Sequence, residues 1–194
     1  TRLCRADIIL MQLEIPLETV VYVVRSAKSN HQKVVLNPAP AQKLSKEILD
    51  GLFLITPNET EVFLLTGVEV SSEESASRAA DCLLSQGVQN VVITLGEQGA
   101  YFQNKELKLI VGAPKVKVLD TTAAGDTFSG AITVALTEKM NLQEALEFAV
   151  KAASISVTRL GAQLSIPYKM KSIFKNYKKY YICLSYKASL LQFY

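Results

Sequence analysis

The sequence predicts an α/β fold in which a mainly parallel sheet is covered by helices on both faces, giving three layers. Short apolar segments of strand length alternate with longer segments that repeat apolar residues at helical spacing. Strands that alternate with helices pair in parallel, because each helix returns the chain to the same edge of the sheet. The longest apolar runs are strand-sized, well short of the ~20 residues that a membrane-spanning helix needs.

The first half of the chain contains repeated strand and helix units. Strand patterns occupy residues 6–13, 34–36 and 52–55, and helix patterns occupy residues 16–27, 44–49 and 56–65. Pro16 is expected to open the first helix, because the first helical position tolerates proline. Residues 37–40 hold two prolines and predict an extended loop. Gly67 is expected to end the third helix in the left-handed conformation.

Two capping boxes are predicted in the second half. Ser71 and Glu74 have the spacing of such a box and predict the start of a helix that ends at Gly87. Asn141 and Glu144 have the same spacing at the start of the last long helix. Both helices carry a stripe of alanine and leucine, which predicts that one face of each packs on the sheet.

The strands of the second half lead to one conspicuous segment. Residues 91–94 predict a core strand, and a polar turn is expected to join residues 101–102 to residues 107–110 in a hairpin. Residues 116–119 predict a further buried strand that enters the segment 120–130. Ligands of parallel α/β sheets bind beyond the carboxyl ends of the strands, so we expect the functional residues there.

Composition and charge exclude several classes of protein. Hydrophobic residues make up 49% of the chain and charged residues 20%, which is usual for a globular domain. The net charge of +3 comes from residues 175–194, which hold four lysines and no acid. The body therefore lacks the basic stripe that nucleic-acid binding requires. We expect no nucleic-acid partner and no membrane partner.

The cysteines do not predict a metal centre. Cys4, Cys82 and Cys183 have no CxxC spacing, and His31 is the single histidine, so a zinc site cannot be completed. The N-terminus also lacks the pattern of a secretory signal. We expect reduced, structural thiols and a cytoplasmic protein.

The segment 120–130, with the sequence DTTAAGDTFSG, is the most informative part of the chain. Ala123, Ala124 and Gly125 stand where a helix is expected to begin, and the first N–H groups of a helix have no partner within it. The helix dipole also favours negative charge there, so a phosphate can approach over small side chains. Asp126 would then lie beside that phosphate. The ordinary alternative is that Asp126 caps the helix and the small residues serve packing.

This segment resembles the C-terminal signature of the ribokinase-like (PfkB) carbohydrate kinases. The resemblance extends over about residues 6–167 and includes further motifs at residues 11–16, 36–41, 56–61 and 161–163. It implies a ribokinase-like three-layer αβα sandwich, of which residues 1–174 would form the C-terminal portion. Residues 175–194 match no part of the family, and we expect a poorly ordered tail; the alternative is a helix that binds a membrane surface or a partner.

The resemblance implies transfer of the γ-phosphoryl group of ATP to the primary hydroxyl of a pentose, with D-ribose as the first expectation. Asp126 would accept the hydroxyl proton, while Ala123, Ala124 and Gly125 would form the anion hole. Glu14 and Asp126 would contact the sugar, although Glu14 also fits a helix-start acid. The alternatives are a kinase for deoxyribose or a nucleoside, and a non-catalytic remnant that binds nucleotide or a partner.

The cofactors implied are ATP, Mg²⁺ and K⁺. Asn58 and Glu61 would hold magnesium and the phosphates, largely through water; taken alone, Glu61 also fits a solvated helix position. The implied nucleotide contacts are Asn58, Glu61, Thr94, Leu95, Gly96, Glu97, Gln98, Gly99, Gly125 and Val150. Residues 94–99 also fit a plain turn or an RNA-binding GxxG loop, and Val150 fits a simple core position. The implied potassium ligands, mostly backbone carbonyls, are Asp120, Thr122, Ser156, Arg159, Gly161 and Ser165.

The resemblance starts part-way through the family pattern. The family's first strands, its lid sheet, and the aspartate and paired glycines that grip the sugar would all precede Thr1. We therefore expect the 194-residue chain to be poorly soluble or inactive alone, because the missing strands would leave apolar sheet edges and core exposed. For the intact protein the resemblance implies a homodimer formed through the lid.

Overall fold

A computed structural model describes residues 6–167; the tail at 175–194, Cys4 and Cys183 lie outside that range. One six-stranded sheet forms the centre of the described residues. Its strands are β1 (Ile8–Met11), β2 (Lys33–Leu36), β3 (Leu54–Ile55), β4 (Asn90–Thr94), β5 (Ala100–Gln103) and β6 (Lys108–Val111). They lie side by side in chain order, with β1 to β4 parallel and β4 to β6 antiparallel. The predicted mainly parallel sheet is confirmed.

Helices cover both faces of this sheet. They are α1 (Leu17–Ser29), α2 (Lys46–Leu49), α3 (Glu59–Thr66), α4 (Glu73–Ser85), α5 (Ala124–Thr137) and α6 (Leu142–Ser156). Alternate strand residues point to opposite faces, so Ile9 and Met11 join the core under α1 and α4, whereas Ile8 and Leu10 join the core under α5 and α6. The predicted three-layer αβα architecture is therefore confirmed.

Several local predictions are confirmed. Helix α1 begins directly after Pro16, and Gly67 ends α3 with a φ of 74° in the left-handed region. The turn at residues 104–107 joins β5 to β6 in an antiparallel hairpin. Asn141 caps α6 in a complete capping box with Glu144.

Two predictions about local structure are wrong. Residues 116–119 form no strand: Val118 and Leu119 are each 53% exposed, and Leu119 donates its backbone N–H to Val157 O rather than to a sheet neighbour. The capping box of α4 is formed by Ser72 and Ser75, one residue later than predicted. The short Ser75 hydroxyl reaches the backbone N–H of Ser72 at 2.9 Å, so the box does not need the carboxylate of Glu74.

The outer edge of β1 is open, as expected, but its side chains are buried. Within the described range β1 pairs only with β2, so its second row of backbone groups has no strand beside it. Its side chains are nevertheless at most 8% exposed. The expected exposure of core side chains is therefore wrong at this strand, while poor solubility stays a prediction. No helix in residues 6–167 is long and apolar enough to cross a membrane.

Candidate active site

The carboxyl ends of four parallel strands bring polar residues to one edge of the sheet. Gln12 and Glu14 follow β1, Asn37 follows β2, and Asn58 follows β3. Thr94 ends β4 and forms a parallel bridge with Asn58. Of the predicted site residues, Glu14, Asn58 and Thr94 lie at this edge as expected, whereas Asp120 follows an exposed loop rather than a strand.

The start of α5 opens toward the same edge. Ala123 is the N-cap residue, and the backbone N–H of Ala124 donates to Thr121 O at 3.1 Å. Within the described residues, the N–H groups of Gly125 and Asp126 have no acceptor. Gly125 and Asp126 are exposed, and a Cβ added at Gly125 would meet no atom within 4 Å, so the first turn of α5 borders open space. Two unpaired amides at a helix start form a site that suits an anion.

The carboxyl group of Asp126 lies beside this opening. Asp126 is an exposed residue as a whole, but its Oδ1 accepts hydrogen bonds from Gln12 Nε2 at 2.5 Å and from Asn37 Nδ2 at 3.4 Å. Burial of the carboxyl group raises its pKa, the Gln12 amide acts in the opposite direction, and the negative charge of Glu14 raises the pKa further. Partial desolvation of this kind makes a carboxylate a better proton acceptor.

Asn58 and Glu61 form a capping box at the start of α3. Glu61 N donates to Asn58 Oδ1 at 2.8 Å, and Asn58 N donates to Glu61 Oε2 at 2.9 Å. Glu61 is only 9% exposed, so the alternative of a solvated helix residue is wrong. Burial raises its pKa, the backbone N–H of Asn58 lowers it, and the charge of Asp126 raises it. The two carboxylates are therefore close enough to interact.

A buried hydrogen bond holds α5 against the sheet. Thr56, at the end of β3, and Ser129, in α5, share a hydroxyl hydrogen bond of 2.9 Å. Both residues are at most 3% exposed. Within the described range the buried Thr127 hydroxyl has no partner. Sequence reasoning missed the Thr56–Ser129 pair, because a contact between residues 73 apart leaves no local pattern.

The loop after β4 brings the predicted nucleotide segment beside Asn58. Gly96, Glu97 and Gln98 form a single 3₁₀ turn, which Leu95 N closes by donating to Gly99 O at 2.8 Å. Gly96 has a φ of 53° and open space around its Cα, so this backbone is accessible to a ligand. The loop is one tight turn between the antiparallel strands β4 and β5 of a six-stranded sheet, so it fits the plain-turn alternative and gives no support to an RNA-binding GxxG loop.

The predicted potassium residues lie in two loops that touch. Asp120 Oδ1 accepts from Thr122 N at 2.9 Å, and Asp120 Oδ2 accepts from Gly161 N at 3.0 Å. These hydrogen bonds, led by that of the Thr122 hydroxyl, lower the pKa of Asp120. The side chains of the remaining residues point elsewhere: Ser156 Oγ donates to Ala153 O, Ser165 Oγ donates to Ala162 O, and Arg159 Nη1 donates to Ser165 O at 3.5 Å. The backbone carbonyls of these loops remain the expected cation ligands.

Val150 does not face the site. It is 4% exposed and packs in the core between α6 and the sheet, which is the alternative noted for this position.

Within residues 6–167, no group of three or more histidine, cysteine, aspartate and glutamate side chains could hold a metal ion. A magnesium ion would therefore depend on water and on phosphate oxygens, as is usual for this cation. An open depression of about 410 Å³ lies at the opposite end of the sheet, beside Lys33 and Lys139, and contains none of these site residues.

Comparison with known proteins identifies the family. The sequence pattern of the family described as pfkB family carbohydrate kinase matches residues 2–169. The chain belongs to the pfkB family. The ribokinase of Haemophilus influenzae is 48% identical to this pfkB chain over 172 residues, which are 89% of the chain and 56% of that ribokinase. The ribokinase of Staphylococcus aureus is 45% identical over 84% of the chain and 54% of its own length.

A solved structure agrees with this assignment. The structure of Arabidopsis thaliana ribokinase complexed with ribose and ATP is 33% identical, with a TM-score of 0.84 over 88% of this chain and 56% of that one. The chain thus spans about half the length of the relatives that it matches. Membership of the pfkB family is established by the match over residues 2–169, and the ribokinase-like fold is established for residues 6–167.

Proposed function

We propose that this chain carries the phosphate-binding and proton-accepting part of a kinase that transfers the γ-phosphoryl group of ATP to the primary hydroxyl of a pentose. D-ribose is the first candidate, because the two curated relatives described above are ribokinases. The observation that carries the proposal is the position of Asp126 beside two unpaired amides at an open helix start. An anion site next to a partly desolvated carboxylate is the arrangement that phosphoryl transfer to an alcohol requires.

In the proposed step the sugar hydroxyl loses its proton to Asp126 while its oxygen attacks the γ-phosphorus. The bond from the γ-phosphorus to the bridging oxygen breaks, and ADP leaves with that oxygen. The N–H groups of Gly125 and Asp126 donate to the transferring phosphoryl oxygens. Of the other two predicted anion-hole residues, Ala124 donates its own N–H to Thr121 O, and Ala123 and Ala124 contribute small side chains that leave room for a phosphate. Glu14, exposed after β1, is proposed to hydrogen-bond the sugar.

Asn58, Glu61 and the loop at residues 94–99 are proposed to hold the magnesium-bound phosphates and the nucleotide. A bound magnesium ion would neutralise charge on the phosphate oxygens. Potassium is proposed to lie among the backbone carbonyls of the two loops joined by Asp120 and Gly161, where it would order the start of α5. We further propose a cytoplasmic location, and a homodimer for the intact protein.

A coupled assay of ADP release tests the proposal, with ribose and ATP as substrates and with potassium or sodium as the cation. The Asp126→Asn variant should lose at least about 100-fold in kcat and keep its nucleotide affinity, because only the proton acceptor is changed. Asp50→Asn is the matched control, since Asp50 pairs with Lys28 on the exposed surface. Undiminished turnover in Asp126→Asn would contradict the role of Asp126.

The same assay separates the alternatives. Faster turnover with deoxyribose or a nucleoside than with ribose would move the proposal to that substrate. The alternative of a non-catalytic remnant rests on the fact that the chain spans 56% of the length of its Haemophilus relative. Nucleotide binding by calorimetry without turnover of any of these sugars is expected both of that remnant and of a kinase portion tested alone, whereas failure to bind nucleotide would reject the kinase proposal.

A further inference from the structure

Two amide side chains converge on one oxygen of Asp126. Gln12 and Asn37 stand directly after the neighbouring strands β1 and β2, and both donate to Oδ1 of Asp126, at 2.5 and 3.4 Å. Gln12 is 8% exposed and Asn37 is 4% exposed. Burying an amide is unfavourable unless it is hydrogen-bonded, so these contacts are expected to persist. They join the sheet edge to the first turn of α5 across 114 and 89 positions of sequence.

The two amides leave the second carboxylate oxygen available. Within the described residues, Oδ2 of Asp126 accepts no hydrogen bond. A carboxyl group held at one oxygen cannot rotate freely, so the orientation of the other oxygen is also determined. Because an amide is neutral, it can orient the carboxylate without the large loss of basicity that a lysine or arginine partner would cause.

The position of α5 itself does not depend on Gln12. The buried Thr56–Ser129 hydrogen bond ties the next turn of the helix to the end of β3, and Phe128 packs in the core. Loss of the Gln12 amide is therefore expected to release the Asp126 carboxyl group without displacing the helix.

We infer that Gln12, assisted by Asn37, is a positioning residue that holds Oδ1 of Asp126 and thereby directs Oδ2 toward the attacking hydroxyl. The catalytic part of this inference rests on the proposed kinase function; the orientation of the side chain does not. The charged groups that act on Asp126 in this site are Glu14 and Glu61, both negative. The amide of Gln12 is thus the neutral group that opposes their effect on the carboxylate.

The orientation is tested by NMR on the labelled 194-residue chain, without any substrate. Three-bond couplings to the Asp126 side chain report its χ1 rotamer, and the carboxyl ¹³C shift reports its titration. In Gln12→Met, which removes the donors but keeps the length, we expect the single rotamer to become an average and the pKa of Asp126 to rise. The matched control is Gln42→Met, because Gln42 Nε2 donates to Leu13 O at 3.3 Å and does not contact Asp126.

A second variant, Gln12→Glu, keeps the shape of glutamine and replaces a donor by a like charge. It should raise the pKa of Asp126 more than Gln12→Met does. A wild-type rotamer and titration of Asp126 in both Gln12 variants would overturn the inference, because Gln12 would then only fill space. The same changes in Gln42→Met would also overturn it.

Turnover provides an independent result. With ribose and ATP, Gln12→Met should lower kcat about 10-fold to 100-fold and change the KM for ribose less than twofold, because orientation of a base acts on the chemical step. A rise in KM at constant kcat would contradict a positioning role. If the wild-type chain shows no turnover, which is the result expected of the chain alone, the NMR measurements still decide whether Gln12 orients Asp126, and failure of the chain to bind nucleotide is the result that would reject the proposed function.

Discussion

The two asparagine capping boxes provide a controlled experiment within one chain. Asn58 and Glu61 start α3 at the candidate site, and Asn141 and Glu144 start α6 away from it. The asparagine side chains accept from the N3 backbone at 2.8 and 2.9 Å, and the glutamates accept the reciprocal bonds at 2.9 and 3.3 Å. Replacing either asparagine by alanine removes one such cap, which contributes about 1 kcal/mol. We therefore expect Asn58→Ala and Asn141→Ala to lower the free energy of unfolding by similar amounts.

Ligand affinity should distinguish the two variants. Asn58 is proposed to contact the magnesium-bound phosphates, so Asn58→Ala should bind MgATP about tenfold more weakly, a loss of about 1.4 kcal/mol. Asn141→Ala should bind MgATP as the wild type does. Urea unfolding followed by circular dichroism measures the stability, and isothermal titration calorimetry measures the affinity. Equal MgATP affinity in the two variants would refute the assignment of Asn58 to the nucleotide site.

Three other predictions concern stability. Burial raises the pKa of Glu61, so ionisation of its carboxyl group opposes folding. Glu61→Gln should therefore be more stable than wild type at neutral pH, and this difference should vanish below pH 4.5, the usual pKa of glutamate. Urea unfolding across pH measures the difference. Gly99 has a φ of 99°, and a Cβ added there would lie 1.9 Å from a backbone carbonyl of β6. At Gly67 an added Cβ meets no atom, so Gly67→Ala pays only the backbone strain of about 1 kcal/mol. Gly99→Ala should therefore lower the free energy of unfolding more than Gly67→Ala does, as chemical denaturation would measure. Ser129→Ala removes the 2.9 Å partner of the buried Thr56 hydroxyl, which keeps only a 3.5 Å bond to Leu36 O, and should cost about 1 kcal/mol by thermal unfolding, part of which Thr56→Val should restore.

Local patterns predicted most of the architecture, because they arise from the packing of each element. The alternation of apolar strands and amphipathic helices correctly indicated a sheet covered on both faces. Residues 116–119 show where this reasoning fails. Their apolar content resembles a strand, but a strand must also pair with a neighbour, and this segment lies along neither edge strand of the described sheet; Leu119 donates its backbone N–H to Val157 O instead.

The site was only partly predictable for a related reason. The motif around Gly125 and Asp126 is local, so its spacing indicated an anion site at a helix start. The contact between Gln12 and Asp126 depends on how α5 packs across β1, which no spacing within either segment encodes. The position of Gln12 directly after a buried strand was the one available signal. Val150 shows the same limit, because an apolar residue fits a core position and an adenine pocket equally well, and its burial fits the first of these.

The central claim is that the terminal phosphate of a nucleotide binds at the start of α5. A crystal structure of the chain with ribose, magnesium and a non-hydrolysable ATP analogue tests this claim most directly. The account predicts γ-phosphate oxygens about 3 Å from the backbone nitrogens of Gly125 and Asp126, with Oδ2 of Asp126 facing the primary hydroxyl of the sugar. A γ-phosphate bound elsewhere, with both amides still open to solvent, would contradict it.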